Sequence, residues 1–177
     1  MKKNVIICGL IAGTILAVFM AASATMCYNN DNYEGSMVLG YSAMVLAFSL
    51  IFVAVKNFRD KINGGTVTFV QAFKIGLYIT LIASSIYVAV WLVDFYIFIP
   101  DFMEKYTAHV MKVAAEDGLP QVKLQQKAAE MEGYKEMYKN PLFVVLFTYA
   151  EVLPIGLIIS LICAFILKRK TMPGAVI

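Results

Sequence analysis

Residues 142–167 read LFVVLFTYAEVLPIGLIISLICAFIL, an apolar run broken by a single charge, Glu151. At helical rise, roughly 20 apolar residues cross the ~30 Å hydrocarbon core of a bilayer. This stretch is long enough, and three others match it at residues 5–26, 36–55 and 75–99. Asp94 is the only other charge inside the four. The chain of 177 residues is 60% apolar and 15% charged, with a mean hydropathy of +0.74, whereas soluble domains lie nearer ~45–50% apolar and ~25% charged. The surplus has to face lipid. A net charge of +3 over 15 basic and 12 acidic residues makes no basic patch, so a nucleic-acid partner is excluded. The sequence predicts an all-α polytopic membrane protein. It forms one domain over residues 1–177, with four transmembrane helices in a bundle.

Basic residues set its direction. Lys2 and Lys3 precede the first span, Lys56, Arg59, Lys61 and Lys74 separate the second from the third, and Lys168, Arg169 and Lys170 follow the fourth. The first loop carries Asp31 and Glu34 and no basic residue. By the positive-inside bias both termini, the tail 168–177 included, are cytoplasmic, and the segment 100–140 lies outside. Lys2-Lys3, an apolar stretch and Ala22-Ser23-Ala24 also fit a cleavable secretory signal. The apolar stretch exceeds the ~7–15 residues of a signal core. It also carries Gly9, Gly13, Ala17, Ala21 and Thr25 at four-residue spacing, a surface that lets another helix come close. A retained helix is expected, with cleavage as the alternative.

Similar stripes mark the other spans: Ser36, Gly40, Ala43, Ala47 and Ala54 on the second, Gly76, Thr80, Ala83 and Tyr87 on the third, Gly156, Ser160 and Ala164 on the fourth. Gly9, Gly13, Gly40, Gly76 and Gly156 are the expected helix-packing positions. Between the second and third spans Asn63-Gly64-Gly65 is a turn signal, and Thr68 with Gln71 reads as a capping box that starts a helix near Phe69. Phe69 and Phe73 fit an interfacial anchor. Residues 100–140 are too long for a structureless loop. Met103, Tyr106, Val110 and Val113 form one apolar stripe, and Asp117-Gly118-Leu119-Pro120 breaks it. Leu124, Ala128, Met131, Tyr134 or Lys135, and Tyr138 form another. An extracytoplasmic helical hairpin between the third and fourth spans is the expected product. Asn140-Pro141 suits the N-cap and first turn of the fourth.

Gly40-Tyr41-x-x-Met44, Phe58-Arg59-Asp60-Lys61 with Asn63-Gly64-Gly65, Phe69-x-x-Ala72-Phe73-x-x-Gly76, Ile99-Pro100-Asp101-Phe102, Tyr138-Lys139-Asn140-Pro141 and Glu151-x-x-Pro154 together resemble domain of unknown function 4199. These are small bacterial membrane proteins of the Bacteroidetes type. The resemblance covers nearly the whole chain. It implies a retained first helix and a bacterial inner membrane, and carries no activity with it.

Glu151 is the sharpest candidate site residue. Nine residues into the fourth span it lies ~14 Å deep, near the midplane, where an acid costs roughly 2.5–3.5 kcal/mol on insertion scales. It therefore faces the bundle, either as a proton or cation site or as a neutral carboxyl hydrogen-bonded between helices. Pro154 frees a carbonyl one turn before it, as in helices that bend or line cavities. Asp94 lies shallower, level with Tyr41, and a Tyr41–Asp94 hydrogen bond is expected. Tyr87 lies two turns below Asp94 on the same face, so that Asp94 and Tyr87 bracket the depth of Glu151. Cys8, Cys27 and Cys163 read as small fillers. His109 has no evident second ligand, so no metal and no cofactor is expected. No phosphate loop, nucleophile elbow or zinc-protease signature occurs.

Two functions compete. The leading one is a non-enzymatic interaction or structural component of the membrane, in contact with the lipid bilayer and acting as a homo-oligomer or with a membrane-protein partner. The alternative is a small proton- or cation-coupled transporter or channel using Glu151 in an oligomer.

Overall fold

A computed structural model describes residues 2–30 and 37–169. Within them the chain forms α1 (Lys2–Asn30), α2 (Met37–Phe48), α3 (Leu50–Asn57), α4 (Phe69–Val93), α5 (Phe102–Glu116), α6 (Gln121–Tyr138) and α7 (Pro141–Leu167). α2 and α3 are one span, interrupted at Ser49, whose hydroxyl donates to the Leu46 carbonyl at 2.6 Å. Such back-bonding loosens a helix locally and bends it. π-helical turns at Phe58–Ile62 and Asp94–Phe98 finish α3 and α4. Four stretches are long and apolar enough to cross a membrane: Lys2–Asn29, Val38–Ile62, Phe69–Phe98 and Pro141–Leu167. The second and third extend further into the basic loop than the apolar runs alone indicate. The first π turn carries the helix past Val55, and the cap at Thr68 starts the next one early.

The local signals act as the sequence predicts. Thr68 Oγ1 accepts the Gln71 N–H at 3.2 Å, and Gln71 Oε1 accepts the Thr68 N–H at 3.0 Å. Gly64 and Gly65 take φ of 61° and 80°, a left-handed pair that suits glycine alone. Asn140 Oδ1 accepts the Leu142 N–H at 3.0 Å.

α4 is the central helix, packed along its length on α1 and on α7. It runs parallel to α1, since Gly9 lies against Ile82 and Gly13 against Ile86. It runs antiparallel to α7, since Gly76 meets Ser160 and Gly156 meets Thr80. Thr80 Oγ1 and Ser160 Oγ lie 3.3 Å apart in this fully buried seam. Lipid gives no hydrophobic drive between helices, so close backbone approach and interhelical hydrogen bonds have to hold them. α2 leans on α1 and α7, and α3 on α7 and α4, so that Phe48, Ile51 and Val55 are fully buried against Ile75 and Ile79. Ile6, Val18, Leu46, Ile97, Leu142 and Ile166 point outward and exposed. In water that surface would be a liability; in lipid it is solvated.

The small-residue stripes are buried at Gly9, Gly13, Ala17, Ala47, Ala54, Gly76, Thr80, Ala83, Gly156, Ser160 and Ala164. Gly40 departs from expectation: a Cβ built there would meet nothing within 4 Å. α2 meets α1 and α7 through Met44 and below, and Gly40 lies beyond that contact, facing open space. Ser36, Asp31, Glu34 and the tail from Lys170 lie outside the described residues.

The two ends differ. At one, Val67 and Arg169 exchange backbone hydrogen bonds of 3.0 and 2.8 Å, and Asn4 Nδ2 donates to the Ala54 carbonyl at 3.0 Å. This end gathers the basic residues flanking the spans. At the other, α5 and α6 pack on each other around Ala114 and Met131. Along α6, Lys135 rather than Tyr134 takes the half-buried position, and Ala128 is exposed, so the apolar stripe is narrower than its spacing suggests. Lys112–Glu116, Lys127–Glu130 and Lys135–Glu132 pair at 3.9, 3.7 and 3.9 Å within their own helices, which suits helices bathed in water. Tyr28 ties α1 to α5 by donating to Asp101 Oδ1 at 2.7 Å, with Lys105 Nζ 3.8 Å from its ring centroid. The Tyr28 hydrogen bond, with the charge of Lys105, holds the Asp101 carboxyl below its ordinary range.

Candidate functional site

Glu151 stands on α7 three residues before Pro154, which lies inside the continuous helix. Proline there leaves the Ala150 carbonyl without its intrahelical donor. The Glu151 side chain is exposed to two adjoining cavities of about 420 and 220 Å³, and both are also bordered by Met20 and Tyr87. The larger runs between α1 and α2, with Leu16, Phe19 and Ser23 on one wall and Gly40, Ala43 and Met44 on the other. Phe102 and Tyr106 of α5 complete it. The smaller lies between α4, α6 and α7, with Trp91, Tyr138 and Phe147 around it. Among the described residues no lysine or arginine lines either cavity, and no described residue makes a hydrogen bond or ion pair with Glu151.

Tyr87 of α4 and Glu151 of α7 border the same two cavities. Asp94 does not join them. It opens the π turn after α4, and its Oδ2 is buried with no hydrogen-bond partner; it borders neither cavity that holds Glu151. The expected Tyr41–Asp94 hydrogen bond is absent. Tyr41 is 51% exposed on α2, which packs on α1 and α7 rather than on α4. Level along the membrane normal did not mean adjacency, because the two helices lie on different sides of the core.

Sequence reasoning overlooked the aromatic layer above Glu151. Trp91 lies 5.8 Å from Phe95 and 5.5 Å, edge-on, from Phe102. Phe95 is 5.6 Å from Tyr138, and Tyr138 stacks on Phe147 at 6.0 Å. These rings join α4, α5, α6 and α7 at one end, in the favoured tilted and edge-on arrangements. Burial, and then the charge of Glu151, push the Tyr138 hydroxyl up from its ordinary value. The four-residue spacing of Trp91 with Phe95, Phe102 with Tyr106 and Phe143 with Phe147 was the available signal. Cys8 and Cys163 are buried in the core as small fillers, and Cys27 borders the larger cavity. Among the described residues no three His, Cys, Asp or Glu side chains gather in a metal-holding group.

Four long apolar helices with outward-facing aliphatic side chains define a multi-pass α-helical membrane protein, and a carboxylate on one of them borders two cavities that no described lysine or arginine lines. The chain belongs to the family described as protein of unknown function (DUF4199), whose sequence model matches residues 8–169. Neither the curated proteins nor the solved structures compared with it give a match.

Proposed function

We propose that this chain is a non-enzymatic binding component of the bacterial inner membrane. Its four spans form one bundle, its termini lie in the cytoplasm, and the α5–α6 hairpin lies outside. The observation that carries the reading is the glycine-lined seam of α1, α4 and α7, which holds these helices as one body and leaves an apolar cavity beside it between α1 and α2. The clustering of basic residues at the Val67–Arg169 end supports the orientation. The test is cysteine labelling in a background with Cys8, Cys27 and Cys163 replaced by serine. Glu116→Cys on α5 is expected to react with an impermeant maleimide in intact cells, and Lys61→Cys only after permeabilisation. The reverse pattern would overturn the orientation.

A second reading rests on the position of Glu151 between two cavities that share Met20 and Tyr87. In this reading the carboxyl relays protons or cations from one to the other. Liposomes containing the wild type would then pass protons under an imposed gradient, and the Glu151→Gln variant would not. Equal leak in both removes it.

A further inference from the structure

We propose that the larger cavity is a binding site for the protonated amine of an amphiphile, with the alkyl chain between α1 and α2 and the ammonium group against Glu151. This rests on the binding-component reading above and names the chemistry of what is bound. A volume of about 420 Å³ falls in the range of small-ligand pockets, ~300–1,000 Å³. The walls select the chain: Leu16, Phe19, Ala43 and Met44 offer aliphatic and aromatic surface, with a hydroxyl only at Ser23 along that stretch. The end selects the charge. Among the described residues Glu151 is the sole carboxylate lining the cavity, and no described basic side chain borders or neutralises it. A cationic head completes that pair beside largely apolar walls. The rings of Phe19, Tyr87, Phe102 and Tyr106 border the cavity as well, and aromatic rings attract cations. An anionic amphiphile is repelled by the same carboxylate, and a calcium or magnesium ion would find a single described carboxylate where it prefers several oxygen ligands. Gly40 fits the scheme, because it borders the cavity and leaves open the space that a side chain there would take.

The amine has two sources, a free lipophilic amine or the headgroup of phosphatidylethanolamine, and the experiment separates them. Trp91 is the chain's single tryptophan and borders the smaller cavity next to Glu151, so its emission reports on this place alone. The full chain in phosphatidylglycerol nanodiscs is titrated with octylammonium, and with octanol as the uncharged control. Octylammonium is expected to give a saturable change in wild type, at least tenfold weaker in Glu151→Gln and lost in Gly40→Leu. Octanol should bind no more tightly to wild type than to Glu151→Gln. A Cβ at Gly40 meets nothing within 4 Å, so Gly40→Leu is expected to melt as the wild type does, and that measurement controls for the fold. Replacing half of the lipid with phosphatidylethanolamine raises the octylammonium midpoint if the headgroup occupies the site, and leaves it unmoved if a free amine does. A titration without saturation, or one identical in wild type and both variants, overturns the proposal. If the labelling pattern at Glu116 and Lys61 stands while this titration fails, the membrane reading survives and the ligand assignment alone falls.

Discussion

A Cβ placed on Gly76 would come to rest 2.5 Å from the Oγ of Ser160 and 2.7 Å from its Cβ. The Ser160 hydroxyl can rotate, but its Cβ is fixed by the backbone of α7, so α4 and α7 must part to admit even a methyl group. Gly76→Ala is expected to cost about 1–3 kcal/mol of stability by overpacking, measured by unfolding from mixed micelles. Ser160→Gly in the same chain removes both offending atoms. The double variant should be more stable than the sum of the single losses by at least about 1 kcal/mol. Simple additivity would mean that the seam is not where the strain falls.

Gly40 is the contrasting case. With nothing within 4 Å of the added carbon, Gly40→Ala is expected to leave stability unchanged or raise it by up to about 1 kcal/mol, the helix propensity difference. A loss as large as that of Gly76→Ala in the same micelle assay would place an unseen neighbour on this face of α2.

The reciprocal pair at Thr68 and Gln71 opens α4. Thr68→Ala removes the acceptor for the Gln71 N–H and is expected to cost about 1 kcal/mol, with faster amide exchange over the first turn. Thr68→Ser, which keeps the oxygen, should restore most of it. Equal losses in both variants would point to the lost methyl group rather than the cap.

The tie between Tyr28 and Asp101 carries a pH signature. Because the folded Asp101 carboxyl is held below its ordinary value of 3.8, its contribution to stability is fully present above that pH and is lost as pH falls through the depressed value. Docking of α5 on α1, followed by exchange of the α5 amides, should therefore weaken in acid in the wild type. In Tyr28→Phe it should be weaker at neutral pH and flatter across the same range. Parallel profiles would show that Asp101 is not the titrating group.

The spans, the turn glycines, both N-caps and the break at Gly118 are legible from sequence because each depends on residues within one or two turns of itself. The seam of Gly76 and Gly156 was legible for a related reason: only small residues let helices close in lipid, so the requirement is written on each helix separately. The failures at Gly40 and Tyr41 share one cause. Both sit on α2, and whether a face is covered depends on which helix lies beside it, a fact of the whole arrangement that no local spacing encodes. The two cavities escaped for the same reason, being spaces between helices, although Glu151 marked where they meet.

The parallel contact of α1 with α4 also orders events in time. Gly9 and Gly13 are synthesised well before Ile82 and Ile86, and the helix that follows α1 in the chain is not its principal partner. Until α4 follows, α1 has its glycine face unmatched, with only its lighter contacts to α2 and α3 to hold it. Contacts between distant parts of a chain are slow to form, and here the slow step is also the one that seals the core. A ribosome stalled before α4 emerges would leave α1 open to whatever membrane helix reaches it first.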